Sequence, residues 1–266
     1  MPFFCIFALE IKTAIMKRKY CNLLLMIGFL SLFNVSCVMY HPHNVDIPLL
    51  QQGRDLRIDG SVNMTFPFLD GTGANATVSY APINHLALQA SGSITDKKNL
   101  YGHFAVGTFQ PFGKSVLEFY LGAAAGHSSY SQNRNSSDNT QSGTKESTLN
   151  QKYYVEGDYN IFFSQLNFGW NNLGDDLCDV GFGLRSGILK PAWQHVNVSD
   201  DGVESVVEEF TTPNFLLEPQ LMFRIGGEHL KISFNFAYSF LSDWPTENNY
   251  FNYTRFSAGI GLNYKF

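Results

Sequence analysis

The sequence predicts an all-β fold, an antiparallel transmembrane β-barrel of about ten strands, with eight to twelve possible. Apolar and polar residues alternate along most of the chain, and shorter and longer connections between the alternating segments follow one another in turn. No apolar run after residue 37 reaches the length of a membrane helix. Alternation with a period of two puts one set of side chains on each face of a strand. These observations together are typical of a barrel with a lipid-facing outside and a polar inside.

Composition agrees with this prediction and excludes one class of partner. Aromatic residues make up 15% of the 266 residues, and charged residues also only 15%, against roughly 25% charged residues in ordinary globular proteins. A net charge of −5 argues against a nucleic-acid partner. The sequence contains no phosphate-binding glycine loop, zinc motif or nucleophile elbow, so we expect no cofactor and no metal.

The start of the chain has the pattern of an export signal. Basic residues at 17–19 precede an apolar run over 23–33, and the small residue Ser36 stands directly before Cys37. This pattern resembles a lipoprotein signal peptide, although Asn34 replaces the usual Leu of that family. The resemblance implies cleavage before Cys37 and attachment of acyl chains, such as palmitate, to that residue. An ordinary signal peptide that is cut nearby is the alternative.

The domain prediction follows from that signal. Residues 1–36 are predicted as the signal peptide, and 1–15 are expected to be an over-long gene model ahead of Met16. Residues 37–53 are predicted as a periplasmic linker with a lipidated amino terminus, and 54–266 as the barrel. The segment 43–50 resembles the lead-in of uncharacterised Bacteroidota-type barrel lipoproteins. His41 and His43 have a spacing that could bind a metal, but no further ligand lies nearby in the sequence.

Ten strands are predicted in order along the barrel. In the first, for example, Leu56 and Ile58 alternate with Arg57 and Asp59. The predicted strands are 54–66, 73–81, 84–94, 100–110, 115–130, 152–170, 177–190, 210–225, 229–241 and 252–266. Tight turns rich in Gly, Pro and Asn alternate with mostly longer polar connections such as 131–151. Short periplasmic turns and longer outward loops are typical of outer-membrane barrels, and an even strand number puts both chain ends in the periplasm.

The last strand carries the strongest resemblance. Its apolar residues share one parity from Phe256 to Phe266, while Ser, Gly, Asn and Lys occupy the other. It resembles the closing strand of a bacterial outer-membrane β-barrel, in which the terminal Phe belongs to the assembly signal. The resemblance implies residence in the outer membrane, contact with its lipid, and recognition of Phe266 by the barrel assembly machinery.

Charged residues are predicted to line the lumen because they fall on the inward parity. The predicted lumen charge network is Arg57, Asp59, Glu118, Asp179, Arg185, Glu218, Arg224, Lys231 and Arg255. A barrel of eight to ten strands is about wide enough for side chains to fill, so we interpret these charges as paired groups that hold the barrel rigid. A narrow channel or small-ligand carrier is the alternative.

One pair of residues raises the possibility of catalysis. His127 and Ser129 share the lipid-facing parity at the outer end of the fifth strand. The pair resembles the outer-membrane lipid A deacylases, in which a His acts as general base for a Ser nucleophile. No orienting carboxylate is evident in the sequence, and Glu146 is the nearest Glu downstream.

We therefore predict that the protein is not an enzyme. The expected role is structural, or interaction with a surface or periplasmic protein through the outward loops. A lipid-modifying barrel enzyme, a narrow channel or carrier, and a lipid-tethered soluble barrel are the alternatives.

Overall fold

The computed structural model describes residues 38–41, 43–66, 72–95, 99–136, 149–199, 203–242 and 252–266. The strands are β1 (Val38–Tyr40), β2 (Leu56–Phe66), β3 (Thr72–Ile83), β4 (Leu86–Thr95), β5 (Asn99–Phe112), β6 (Ser115–Ser136), β7 (Leu149–Asn172), β8 (Cys178–Val198), β9 (Glu204–Phe210), β10 (Asn214–Gly226), β11 (Leu230–Tyr238), β12 (Phe240–Leu241), β13 (Asn252–Tyr253) and β14 (Phe256–Lys265). A single helical turn, α1 (Leu173–Asp176), connects β7 to β8. Within the described ranges, no helix has the length and apolar character needed to cross a membrane.

Ten antiparallel strands form a closed barrel, which confirms the predicted fold class. Neighbouring strands pair in the order β2, β3, β4, β5, β6, β7, β8, β10, β11 and β14, and β14 pairs with β2 to close the ring. The closing seam runs from Phe256 opposite Phe66 to Lys265 opposite Arg57. Closure satisfies the backbone groups of both edge strands, which a membrane interior requires.

Three of the ten wall strands are each divided into two segments by a short interruption. β9 and β10 are separated by residues 211–213 and pair with successive parts of β8. β10 pairs with β8 from Cys178 to Leu189, and β9 pairs with it from Trp193 to Val198. β12 continues β11 beyond Ser239, and both pair with β10. β13 and β14 are separated by Thr254 and Arg255.

The barrel has two different ends. Connections 84–85, 113–114, 173–177 and 227–229 lie at one end, here called the turn end. The described strand ends that flank 67–71, 96–98, 137–148, 200–202 and 243–251 lie at the other end, here called the loop end. β6, β7 and β8 are the longest strands and extend past their neighbours toward the loop end. Phe266 lies at the turn end, where its N–H donates to the Leu56 carbonyl.

Because of the alternation in the sequence, the outer surface of the barrel is apolar, and the interior contains both polar and apolar side chains. Exposed outward residues include Val62, Phe104, Leu121, Phe162 and Ile232. The odd-numbered residues of β2, by contrast, are mostly buried polar groups. In water, such a continuous apolar surface would be a liability, so the outside is suited to lipid.

Candidate functional site

The lumen is occupied by residues 39–50, here called the lumenal segment. Its described residues are all buried, although the sequence predicts a linker below the barrel at this position. The segment begins with β1, which pairs in parallel with β13. Just beyond its end, the Gly53 N–H donates to Asn84 Oδ1 across 2.6 Å, at a tight turn between β3 and β4. The segment therefore passes through the barrel from the loop end to the turn end.

Aromatic rings surround the part of the lumenal segment nearest the loop end. The His43 ring stacks on Tyr101 with 3.5 Å between centroids and 9° between planes. His43 Nε2 lies 2.9 Å from the Tyr159 hydroxyl, so this nitrogen already has a partner. Tyr40 meets Tyr159 edge-on, and Trp193 packs on the other side of Tyr159. This part of the lumen is therefore packed with buried aromatic rings.

Asp46 holds the middle of the lumenal segment. Its Oδ2 accepts a hydrogen bond of 2.8 Å from Ser79 Oγ, and Arg224 Nη2 lies 3.8 Å from its Oδ1. Its backbone carbonyl accepts hydrogen bonds from Gln165 and Asn167 on β7, at 2.8 and 3.2 Å. One residue thus connects strands from opposite parts of the wall.

Near the turn end, backbone groups of the lumenal segment are bound by side chains of the wall. The Leu49 carbonyl accepts from Asn171 Nδ2 at 2.7 Å and from Arg57 Nη2 at 3.4 Å. The Leu50 N–H donates to Glu118 Oε1 across 2.7 Å. A segment without a paired strand in this stretch therefore still has partners for its backbone, as a buried backbone requires.

Glycines in the wall make room for the lumenal segment. An ideal Cβ on Gly181 would lie 2.8 Å from Ile47 Cγ2 and 3.6 Å from Ile47 Cβ. A Cβ on Gly183 would lie 3.0 Å from Val45 Cγ1. The absence of side chains at these two inward positions of β8 lets the backbone of the segment approach the wall closely.

The structure places all but one of the predicted network charges inside the barrel. Arg57, Asp59, Glu118, Asp179, Arg185, Glu218, Arg224 and Lys231 are buried. Asp179 pairs with Lys231 at 2.5 Å and with Arg57 at 3.5 Å. Arg185 pairs with Glu218 at 3.6 Å, and Glu218 also accepts from Tyr40 and Ser239.

Arg255 is the exception, because its side chain is exposed. The chain leaves the strand at Thr254 and Arg255, where the Thr254 N–H donates to the Tyr40 carbonyl. This break shifts the inward parity, so Thr254 takes the buried position and Arg255 lies 5.7 Å from the Tyr253 ring centroid. When the alternation of faces is counted backward from Phe266, the Arg255 side chain is therefore wrongly placed inside the barrel.

On the outer surface, His127 gains a partner that the sequence did not suggest. His127 Nδ1 lies 2.8 Å from Asp158 Oδ1, and the two residues sit directly opposite each other on β6 and β7. Both side chains are accessible, with 43% of the His127 and 77% of the Asp158 side chain exposed. Glu146, the carboxylate considered from the sequence, lies outside the described residues.

Ser129 follows His127 on the same strand face. Its Cα lies about 6.6 Å further along β6, from the rise of a strand, and its N–H donates to Asn99 Oδ1 at 2.8 Å. A cleft of about 420 Å³ adjoins His127 and Asp158, with small residues Gly102 and Ala125 in its lining. The cleft lies toward the loop end of the apolar outer surface.

Two further features were considered from the sequence, a lipidated Cys37 after a signal peptide and a metal site. Cys37 and the segment 1–36 lie outside the described residues. Among the residues that are described, no group of three or more His, Cys, Asp and Glu side chains is arranged to hold a metal ion.

The lumenal segment is the functional element that sequence reasoning missed. Residues 38–53 lack the regular alternation of a wall strand, so their periodicity gave no sign of burial. A usable signal was present in the inward glycines of β8, since consecutive small inward residues leave lumen volume that another part of the chain can fill.

No family model matches the chain, and no curated protein matches it. Solved structures of similar fold include the outer-membrane protease OmpT from Escherichia coli, with a TM-score of 0.52 and 8% identity over 80% of this chain and 94% of OmpT. The KdgM porin has a TM-score of 0.38 and 9% identity over 79% of this chain and 99% of the porin. The NanC porin has a TM-score of 0.39 and 9% identity over 79% of this chain and all of the porin.

At such identities, only the fold is informative. The similarity to OmpT supports the barrel fold and carries no activity over to this chain. The chain has the fold of an outer-membrane β-barrel.

Proposed function

We propose that the protein is a small bacterial outer-membrane lipoprotein whose barrel is closed to solutes and whose role is structural or interactive through its outward loops. The single observation that supports closure is the lumenal segment, whose described residues are buried between the barrel walls. The Arg185–Glu218 and Lys231–Asp179 pairs fill further lumen space with matched charge. The proposed partners are the outer-membrane lipid and the barrel assembly machinery.

Conductance in planar bilayers tests closure. The purified full chain is expected to give no discrete current steps. Discrete steps in the wild type would overturn the proposal. If they vanish when Ile47→Cys and Gly181→Cys are joined by a disulfide, the channel is gated by the lumenal segment. The engineered pair is geometrically suitable, since Cβ atoms of disulfides are about 3.5–4.5 Å apart and these two would be 3.6 Å apart.

Lipidation of Cys37 is supported by the basic and apolar pattern that precedes it. Cells grown with labelled palmitate are expected to label the wild type and the Cys178→Ser variant, but not Cys37→Ser. Label that persists in Cys37→Ser would exclude this anchor.

A second candidate function is hydrolysis of a lipid acyl ester. It is favoured by the hydrogen bond between His127 and Asp158, since a Nδ1–H donated to a carboxylate leaves Nε2 as a base. In this reaction Ser129 Oγ attacks the acyl carbonyl, His127 takes the Ser proton and returns it to the departing alcohol, and water then releases the acyl group from Ser129.

Acyl release from lipid A by the purified protein distinguishes this candidate. Activity that falls at least about 100-fold in each of His127→Ala, Ser129→Ala and Asp158→Asn, but not in the exposed control His229→Ala, would establish it. Equal background release by all five proteins would remove it.

A further inference from the structure

The amino-terminal end of the lumenal segment lies at the loop end of the barrel. Val38 and Tyr40 are in register with Asn252 and Tyr253, which directly follow the connection 242–251. The Tyr40 carbonyl accepts from the Thr254 N–H across 2.9 Å. These contacts attach the segment to the wall on the side of the longer connections.

The other end of the passage is attached to the opposite side of the barrel. The Arg54 N–H donates to the Ala81 carbonyl at 2.6 Å, and the N–H groups of Gln51 and Gln52 donate to Asp55 Oδ2. β2 then begins at Leu56, beside the carboxyl-terminal Phe266. Residues 38 and 266 therefore lie at opposite ends of the barrel.

The wall is complementary to the segment along its whole passage. Aromatic rings enclose His43, polar side chains from β3, β4 and β7 bind Asp46, and the inward glycines of β8 face Val45 and Ile47. Each apolar side chain that the segment buries contributes roughly 1.5–3 kcal/mol, and Met39, Val45, Ile47, Leu49 and Leu50 are all fully buried. The passage is a built feature of the lumen.

We infer that residues 38–53 are a through-lumen tether, which presents the amino-terminal end of the processed chain on the outer face of the membrane while the carboxyl terminus stays on the periplasmic face. This assignment differs from the expectation that both ends are periplasmic. Cys37 is bonded directly to Val38, so an acyl anchor on Cys37 would insert into the outer leaflet, beside the loops.

An epitope tag inserted directly before Val38 tests which face the amino-terminal end occupies. Intact cells expressing the tagged full chain are expected to bind the antibody, as cells with the same tag beside the exposed loop-end residue Val203 do. The matched control places the tag at Gly227 in a tight turn, where binding is expected only after the outer membrane is permeabilised.

A disulfide between Ile47→Cys and Gly181→Cys, in a Cys178→Ser background, reports whether the segment is seated in the lumen. Thiol counting on the denatured protein is expected to show the disulfide in untagged chains and in the tagged chains captured from intact cells. The control pair uses Gly60→Cys, which faces lipid and cannot reach Ile47.

Two results would overturn the inference. One is the absence of the disulfide in the untagged chain, because the segment would then not lie against β8. The other is capture of disulfide-linked, tagged chains only after permeabilisation, because the seated segment would then begin on the periplasmic face. Neither result depends on whether the barrel conducts.

Discussion

At the scale of single residues, the interior combines ionic pairs with strained and close-packed backbone. Leu49 has a φ of 54°, a region that costs a residue with a side chain about 1–3 kcal/mol. Burial of its side chain holds Leu49 in this conformation, and so do the two hydrogen bonds that its carbonyl accepts. Such a residue is maintained only by the walls around it, so the lumenal segment and the barrel depend on each other.

The Arg185–Glu218 pair provides a prediction at this scale. Arg185→Met is expected to lower the free energy of unfolding by about 3–5 kcal/mol, because Glu218 would remain buried without its cation. Midpoints of urea unfolding in detergent measure the change. Adding Glu218→Gln to Arg185→Met should restore part of the loss, since it removes the unpaired charge.

Arg255→Met is the matched control for that prediction. Its side chain is exposed, so its unfolding midpoint should stay close to that of the wild type. An Arg185→Met midpoint equal to that of Arg255→Met would mean that water or a rearranged neighbour compensates Glu218, and that the pair does not hold the lumen together.

Individual residues also mark the limit of sequence reasoning. The inward positions of Arg57 and Asp179 follow from strand periodicity alone. Successive side chains point to opposite faces, so the outward apolar neighbours of these two residues require them to point inward. Arg255 does not follow, because a hydrogen bond to Tyr40 interrupts the strand one residue earlier. Asp158 was missed because its contact with His127 crosses between two strands, and their register cannot be counted from either one.

At the scale of elements, alternation predicted the strands far better than it predicted their ends. β6 and β8 continue well beyond the predicted 115–130 and 177–190, and β7 extends slightly beyond the predicted 152–170. Their loop-end parts carry polar residues on both faces, which weakens the alternation while cross-strand pairing continues. The lumenal segment has irregular contacts with many strands, so no period in the sequence represents it.

The inward glycines of β8 provide a prediction about how β8 packs against the lumenal segment. Gly181→Val is expected to destabilise the folded barrel by about 1–3 kcal/mol, because the new side chain would overlap Ile47 and Met222. The temperature at which the folded gel band converts to the unfolded band should fall. Gly60→Val, with open space around its outward Cβ, should leave that temperature unchanged or raised. Identical conversion temperatures would show that the segment does not press on β8.

At the scale of the whole molecule, the closing seam provides a prediction about assembly. Phe266 is 63% exposed, stacks edge-on with Tyr264 and bonds the start of β2 through its N–H. Deleting Phe266 is expected to reduce the amount of protein that reaches the outer membrane, because the seam loses a backbone hydrogen bond and, under the proposed function, the assembly machinery loses the aromatic residue that it recognises. Fractionation combined with heat-modifiability on gels measures this loss.

A Phe266→Tyr variant separates the two causes. It keeps the ring and the backbone bond, so its outer-membrane level should remain near that of the wild type. A truncated chain that accumulates as well as Phe266→Tyr would show that neither the seam bond nor the terminal ring is needed for insertion.

The passage of the chain through its own barrel also places the steps of maturation in an order. The buried rings and ion pairs of the lumen would leave no path for an amino-terminal end that carries the proposed acyl chains. On the proposal that Cys37 is acylated, we therefore expect the wall to close around residues 38–53 while β2 and β14 are still apart, with their pairing as a late step. Substitutions in the tether, Asp46→Asn among them, should then slow the appearance of mature protein in a pulse–chase experiment even where they leave the finished barrel intact. The enclosure of these residues would then determine the order of the steps in biogenesis.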